Sequence, residues 1–228
     1  MWDDHYTYLL INIVTIVPPF LMSFDKKVAF YKNWKFLFPA IFFTAVVFII
    51  WDIFKTALGV WDFNPKYLLG IYIVNLPIEE WMFFFTIPYA VMFIYECLIA
   101  YFKDIFYRPA PYITIVFLLL LLAGSVFYYD RIYTIITFPF TFVFLLIHHF
   151  VLGRKVAGKF WFTYFVHLIP FLIVNGILTA LPVVTYNDAE NIGCRIFTIP
   201  VEDTIYSMLL LLMNVTIYER LKQHSPKS

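Results

Sequence analysis

The sequence predicts an all-α integral membrane protein in which seven transmembrane helices form two parallel three-helix repeats joined by a linker helix (3+1+3). Three observations support this prediction. The 228 residues are 63% hydrophobic and 14% charged, whereas soluble domains are about half apolar and a quarter charged. Seven segments are mainly apolar over about 20 residues, the length that crosses a bilayer. The third and seventh segments resemble each other, which indicates an internal duplication.

The seven predicted spans divide the chain into three parts. They cover residues 5–24, 35–55, 68–101, 111–129, 131–151, 160–181 and 196–219. The first repeat is expected to occupy residues 1–110, the linker helix residues 111–130 and the second repeat residues 131–228. Because the fourth crossing returns the chain to the side from which the first unit started, the two repeats are expected to be parallel.

The distribution of basic residues predicts the orientation in the membrane. Most lysines and arginines fall in the segments 25–34, 102–110 and 152–159 and in the C-terminal tail, whereas the opposite side collects acidic residues. By the positive-inside rule, the N-terminus lies outside the cytoplasmic membrane and the C-terminus lies in the cytoplasm. The first residues lack the basic region of a cleavable signal peptide, so the first span is expected to be retained.

The duplicated segment carries a proline followed by two acidic residues. The first copy reads LPIEEWMFFFTIPYAVMFIYE and ends at Glu96, and the second reads IPVEDTIYSMLLLLMNVTIYE and ends at Glu219. The same shift of 123 residues also aligns the upstream residues 56–58 with 179–181. A gapless register of this length indicates duplication. The third and seventh helices are therefore expected to face each other, with equivalent carboxyl groups at similar depth.

The acidic pairs are Glu79 with Glu80 and Glu202 with Asp203. An acid in the first turn after a proline is also an ordinary helix start, and this structural interpretation suits a single copy near water. Two matched copies in apolar surroundings favour a functional site instead. Because burial favours the neutral acid, such a group can donate a proton. We therefore predict that all four carboxyl groups are catalytic.

Aromatic side chains near the acids complete the predicted site. Residues four apart share a helix face, so Glu79 lies with Phe83 and Glu202 lies with Tyr206. These two glutamates are expected to face a cavity, with the second acid of each pair orienting them. The aromatic residues predicted to contact a substrate are Trp81, Phe83, Phe84 and Tyr206. Aromatic faces stabilise a developing cation by about 0.5–2 kcal/mol each, so such a cavity suits protonation of an alkene.

Other kinds of site lack support in the sequence. The net charge of +1 offers no basic surface for nucleic acid, and Cys97 and Cys194 indicate neither a disulfide framework nor a metal site. No GxGxxG segment predicts a dinucleotide fold, and the seventh span has no lysine to which retinal could attach. We therefore expect no cofactor and no metal. The expected partners are the lipid bilayer and a hydrophobic substrate within it, and a homo-oligomer is compatible with the sequence.

The two acidic motifs also carry a family resemblance. The pattern PxEE that starts at Pro77 and the pattern PxED that starts at Pro200 each open the last helix of a three-helix unit. They resemble the PxE(E/D) motifs of membrane-integral carotenoid cyclases, the heterodimeric-type lycopene cyclases. In the heterodimeric form the two repeats are separate chains. This sequence resembles the fused form over nearly its full length.

The resemblance implies cyclisation of the linear ψ ends of lycopene, first to γ-carotene and then to β-carotene. An acid, Glu79 or Glu202, would protonate the C1=C2 double bond at C2. The C5=C6 double bond would attack the C1 cation, and a base would then remove a proton. The elemental composition does not change, so the implied enzyme is an isomerase (an intramolecular lyase). The ring type, β or ε, and the choice between lycopene and an elongated precursor stay open.

Other functions fit parts of the sequence. A proton-coupled small-molecule transporter can share the 3+1+3 arrangement, although the fourth and fifth spans lack the polar residues that carriers need. A Mg²⁺-dependent membrane prenyltransferase would need two acidic clusters, and residues 187–191, NDAEN, approximate only one. A membrane scaffold would leave the duplicated acids unexplained.

Overall fold

The computed structural model describes residues 3–103 and 106–225, and helices dominate it. Its α-helices are α1 Thr7–Met22, α2 Trp34–Ala57, α3 Ile78–Tyr101, α4 Ala110–Phe127, α5 Ile132–Ala180 and α6 Val201–His224. Short 3-10 helices cover Asp4–Tyr6, Phe30–Asn33 and Pro65–Tyr67. The five helices α1 to α5 are long and apolar enough to cross a membrane. This composition supports the predicted helical membrane protein.

The fifth helix, α5, includes a segment that the sequence predicts as a loop. Residues 152–159 are basic, which suggests a connection between two spans, and the helix is indeed interrupted within this segment, at Gly153, although residues 154–159 are helical. Lysine and arginine are good helix formers, so a rise in polarity does not end a helix. Only Gly153 leaves helical geometry, with φ of 73° and ψ of 179°, a conformation that glycine adopts without steric cost. We call residues 132–152 the N-terminal arm and residues 154–180 the C-terminal arm of α5.

Six short strands precede α3 and α6 and depart from the all-α prediction. They are β1 Trp61–Phe63, β2 Tyr72–Ile73, β3 Leu76–Pro77, β4 Val184–Tyr186, β5 Arg195–Ile196 and β6 Ile199–Pro200. Antiparallel hairpins β2–β3 and β5–β6 replace the first turns of the predicted spans 68–101 and 196–219. Both hairpins end in a proline, Pro77 or Pro200, directly before the next helix. The apolar residues before each proline therefore form a hairpin and not the start of a helix.

Backbone hydrogen bonds across the two halves repeat at the shift of 123 residues. β1 pairs antiparallel with β4, with Asp62 opposite Thr185. At the ends of this pairing, Asn64 N donates to Val183 O (2.9 Å) and Asn187 N donates to Val60 O (3.0 Å). Each bond becomes the other when the halves are exchanged, as a two-fold relation requires.

The two hairpin turns share unusual backbone angles. Val74 and Phe197 have φ of 61° and 57°, in a region that residues other than glycine rarely adopt. Gly70 and Gly193, four residues earlier and ahead of strands β2 and β5, have φ of 78° and 79°. Matched outliers at one constant shift confirm the internal duplication that the sequence predicts.

Reciprocal side-chain hydrogen bonds join α3 to α6 near their C-terminal ends. Tyr95 OH donates to Glu219 Oε1 (2.7 Å), and Tyr218 OH donates to Glu96 Oε1 (2.6 Å). Lys222 Nζ also lies 3.0 Å from Glu96 Oε1. These contacts tie the two halves together at the end of the helices opposite the acidic pairs.

The helix α4 approaches the N-terminal arm of α5 closely at Gly124. A Cβ atom at this position would lie 2.4 Å from Phe138 Cε2, well inside van der Waals contact. We expect Gly124→Ala to destabilise the protein by about 1–3 kcal/mol, seen as a lower thermal unfolding temperature in detergent. Gly176→Ala is the matched control, because a Cβ there meets no described atom within 4 Å. Equal unfolding temperatures for the two variants would contradict the close packing.

Candidate active site

The four predicted acidic residues lie in the first turns of α3 and α6, and all are buried. Glu79 and Glu202 have no exposed surface, while Glu80 is 7% and Asp203 is 3% exposed. A buried carboxyl group is costly unless hydrogen bonds compensate it. The hydrogen-bond partners of each carboxyl group therefore indicate whether it has a structural or a chemical role.

The first acid of each pair binds the loop that precedes its own helix. Glu79 Oε1 accepts a hydrogen bond from Leu69 N (2.7 Å), and Glu202 Oε1 accepts one from Ile192 N (2.6 Å). Glu202 Oε1 also accepts from Thr134 Oγ1 (2.8 Å). The Oε2 atom of each glutamate has no hydrogen-bond partner among the described residues. The loop contacts hold each hairpin against the start of the following helix.

The second acid of each pair lines a cavity of about 120 Å³. A single buried water needs only about 10–15 Å³, so the cavity has room for part of a ligand. Its lining includes Glu80 and Asp203 but neither Glu79 nor Glu202. The predicted orientation of the pairs is therefore wrong. Backbone N–H groups of the hairpin loops bind the first acids, and successive helical residues point about 100° apart, which turns the second acids towards the cavity.

The cavity is elongated and mainly apolar. Along α3 its lining extends from Glu80 to Ile94, or about 21 Å at 1.5 Å per residue. Its other walls come chiefly from α6 and from the C-terminal arm of α5. Apolar and aromatic residues of the lining include Ile87, Val91, Phe171, Val174, Leu178 and Leu210. Such a shape suits an extended hydrocarbon that reaches the acids with one end.

The carboxyl group of Asp203 accepts hydrogen bonds from three side chains. Tyr133 OH donates to Oδ1 (2.6 Å), while Tyr186 OH (2.7 Å) and Asn175 Nδ2 (2.8 Å) donate to Oδ2. Burial, together with the nearby Asp203, raises the pKa of the Tyr186 phenol well above its usual range. The phenol therefore keeps its proton and remains a donor. Three hydrogen-bond donors stabilise the ionised form of the Asp203 carboxyl group.

Glu80 has a different environment from Asp203. Tyr8 OH donates to Glu80 Oε2, and Oε1 has no hydrogen-bond partner in the part of the chain that the structure describes. Tyr8 on α1 and Tyr133 on the N-terminal arm of α5 make equivalent contacts in their halves. With one oxygen unpaired beside the cavity, Glu80 can carry a proton and present it to a ligand.

A buried lysine lies behind the aromatic wall of the site. Lys55 has no exposed surface, and its Nζ donates to Thr137 Oγ1 (3.0 Å). Four ring centroids surround Nζ at 4.2 to 5.0 Å, those of Trp51, Trp61, Tyr133 and Tyr206. Three of these rings, all but that of Trp51, also line the cavity. Lys55 contacts these rings but does not itself line the cavity.

The predicted aromatic contacts divide into two groups. Phe83 and Tyr206 line the cavity. Trp81 instead donates its indole N–H to a carbonyl of strand β2 (3.3 Å). Phe84 is fully buried and packs on an aromatic ring of α2, with the centroids 5.9 Å apart. Trp81 and Phe84 therefore do not line the cavity.

Sequence reasoning missed several side chains that bind the acids. Tyr8 and Tyr133 lie in apolar helices and Tyr186 lies on strand β4. None belongs to a motif, and an isolated tyrosine gives no signal of its own. Asn175 and its counterpart Asp52 do align at the shift of 123 residues. Asn175 donates to Asp203, whereas Asp52 accepts from Tyr206 OH (3.2 Å).

The fold and the site together define a duplicated helical protein of membrane type, with the carboxyl groups of Asp52, Glu80 and Asp203 in the lining of a mainly apolar cavity. A sequence model of the lycopene cyclase family, described as "Lycopene cyclase", matches residues 5–98 and 130–221. These two matches correspond to the two halves and cover most of the chain. The chain therefore belongs to the lycopene cyclase family, whose members are carotenoid-cyclising enzymes. Comparisons with curated proteins and with solved structures gave no match.

Proposed function

We propose that the protein is a lycopene β-cyclase that converts the linear ψ ends of lycopene to β rings, by way of γ-carotene. The observation that carries this proposal is the difference in hydrogen bonding between two carboxyl groups at one end of an apolar cavity. Glu80 accepts one hydrogen bond from a side chain, whereas Asp203 accepts three. Proton-initiated cyclisation needs an acid and a base at the same reacting end. Family membership favours this reaction over the carrier and prenyltransferase interpretations.

In the proposed reaction, Glu80 transfers its proton to C2 of the terminal C1=C2 double bond. The C1 cation is attacked by the C5=C6 double bond, so that a C1–C6 bond forms and the cation moves to C5. Asp203 then accepts the proton from C6, which restores the C5=C6 double bond within the ring. One proton enters and one leaves, so there is no net redox change, and the reaction is an isomerisation.

Aromatic faces near the acids contribute to the stability of the cation. Phe83, Trp61 and Tyr206 line the cavity with Glu80 and Asp203, and each ring face stabilises a cation by about 0.5–2 kcal/mol. The apolar wall excludes water, which would otherwise trap the cation as an alcohol. The first acids, Glu79 and Glu202, position the hairpins in this proposal.

The proposed topology has seven membrane crossings, with the N-terminus outside and the C-terminus in the cytoplasm. A continuous helix as long as α5 would extend about 73 Å, more than twice the hydrocarbon thickness of about 30 Å. The non-helical backbone at Gly153 divides α5 into two arms, each long enough for one crossing. With α6 as the last span, this gives the 3+1+3 order. The basic residues that follow Gly153 in the segment 152–159 favour a cytoplasmic location for the connection between the two arms.

Expression in a lycopene-accumulating bacterial host tests the proposed activity. We expect extracted pigment to change from red lycopene to yellow β-carotene, identified by chromatography and absorption spectrum. The same host with an empty vector is the control. Unchanged lycopene in cells whose membranes contain the intact protein would contradict the proposal. Rings of ε type would keep the cyclase mechanism but overturn the assigned site of deprotonation.

A further inference from the structure

The cavity is asymmetric although the chain is duplicated. The C-terminal arm of α5 contributes six lining positions, which are His167, Pro170, Phe171, Val174, Asn175 and Leu178. The equivalent helix of the first half is α2, and among the described residues it contributes only Asp52. The cavity therefore extends along the C-terminal arm of α5 and not along α2.

Large side chains fill the equivalent space beside α2. At the shift of 123 residues, Val174 corresponds to Trp51 and Leu178 corresponds to Lys55. The ring of Trp51 lies 5.9 Å from that of Tyr206, and the ring of Phe48 lies 4.8 Å from it, centroid to centroid. The valine and leucine that line the cavity beside α5 thus correspond to a much larger indole and to a buried amine beside α2.

The buried amine closes this space further. Lys55 Nζ lies 4.2 Å from the Trp51 ring and 4.4 Å from the Tyr206 ring, and Lys55 and Phe48 have no exposed surface. Distances of this kind are ordinary packing contacts and leave no room for a hydrocarbon chain between α2 and α6. The two acids that could have served two sites, Glu80 and Asp203, both line the cavity beside α5.

We infer that one cavity closes both rings of the substrate in two separate binding events, and that Trp51 and Lys55 plug the second, repeat-related site. This inference rests on the proposed cyclase function. A carotenoid enters the cavity with one end, is cyclised, leaves, and returns with the other end. The monocyclic carotenoid is therefore a released product and a second substrate, and it competes with lycopene for the same site.

Substitution of Val174 by its larger counterpart tests this inference. Val174→Trp places an indole in the open cavity, and we expect the rate of lycopene consumption to fall by about tenfold or more, with the first and second ring closures lost together. Ile173→Trp is the matched control, because Ile173 is 59% exposed on the same arm, and it should keep wild-type activity. Lycopene consumption at the wild-type rate, whether it stops at the monocyclic product or continues to the bicyclic one, would overturn the single cavity.

A time course with the wild-type protein provides a measurement that does not depend on the folding of a variant. With purified protein in detergent and lycopene in excess, we expect monocyclic carotenoid to accumulate first and bicyclic carotenoid to follow as lycopene is consumed. Bicyclic product without free monocyclic carotenoid from the earliest times would show that both ends react in one binding event, and would overturn the inference. A wild-type protein that forms no cyclic carotenoid at all would instead contradict the proposed function.

Discussion

Glu80→Gln is expected to leave lycopene almost unconverted. Glutamine keeps the size of the side chain and an oxygen that can accept the hydrogen bond of Tyr8, but its amide cannot deliver a proton to an alkene. General acid catalysis contributes about 10²–10⁴-fold to a rate, so we expect the rate of ring closure to fall by that factor. The measurement is carotenoid composition by chromatography, divided by the amount of protein in the membrane fraction.

Glu79→Gln is the matched control for this variant. It makes the same chemical change one residue earlier, where the carboxyl group binds Leu69 N (2.7 Å) and does not line the cavity. The amide oxygen of glutamine can still accept that backbone hydrogen bond, so we expect ring closure within a few-fold of the wild-type rate. An inactive Glu79→Gln variant together with an active Glu80→Gln variant would contradict this assignment. It would make Glu79 the proton donor, as the sequence pattern predicts.

The duplication and the acidic pairs could be predicted because they leave a direct mark on the sequence. Constant spacing survives in a helix whose composition has drifted, and a carboxyl group in apolar surroundings is costly enough to be informative. The structure places both pairs at equivalent helix starts, as the shift of 123 residues indicates. Which acid of each pair faces the cavity was not predictable, because backbone N–H groups of the preceding hairpins determine it.

The hairpins themselves were hidden by their composition. Residues 68–76 are apolar enough to extend a predicted membrane span, yet they form the turn and strand before Pro77. Hydropathy reports burial and not backbone conformation, so a buried hairpin and the end of a helix look alike. The positive φ angles of Val74 and Phe197 follow from no residue preference, and only the structure reveals them.

The side chains that bind the second acids were missed for a different reason. Tyr8 and Tyr133 make equivalent contacts but are 125 residues apart, so a gapless shift of 123 residues does not align them. Lys55 was not recognised because a lysine near the end of a predicted span is usually interfacial. In the structure this lysine is fully buried among aromatic rings, which no spacing rule predicts.

Asp203→Asn is expected to stop ring closure at a later step than Glu80→Gln. The amide cannot accept the proton from C6, and its NH₂ group faces side chains that donate hydrogen bonds to the carboxylate. We expect the rate to fall by about 10²-fold or more. Each donor left without an acceptor costs about 1–3 kcal/mol, so the unfolding temperature in detergent should also fall. Tyr186→Phe is the control, because it removes one donor and leaves the base, and it should reduce the rate no more than about tenfold.

Incubation of the two acid variants with lycopene in heavy water separates the roles of the two carboxyl groups. In Asp203→Asn, Glu80 still protonates C2, but the cation cannot lose its C6 proton and must revert. Lycopene recovered from this variant is therefore expected to carry deuterium at C2, measured by mass spectrometry and NMR. Lycopene recovered from Glu80→Gln should carry none, because the first proton transfer does not occur. Deuterium in lycopene from the Glu80 variant, with none from the Asp203 variant, would contradict this assignment. It would show that Asp203 is the acid and Glu80 the base.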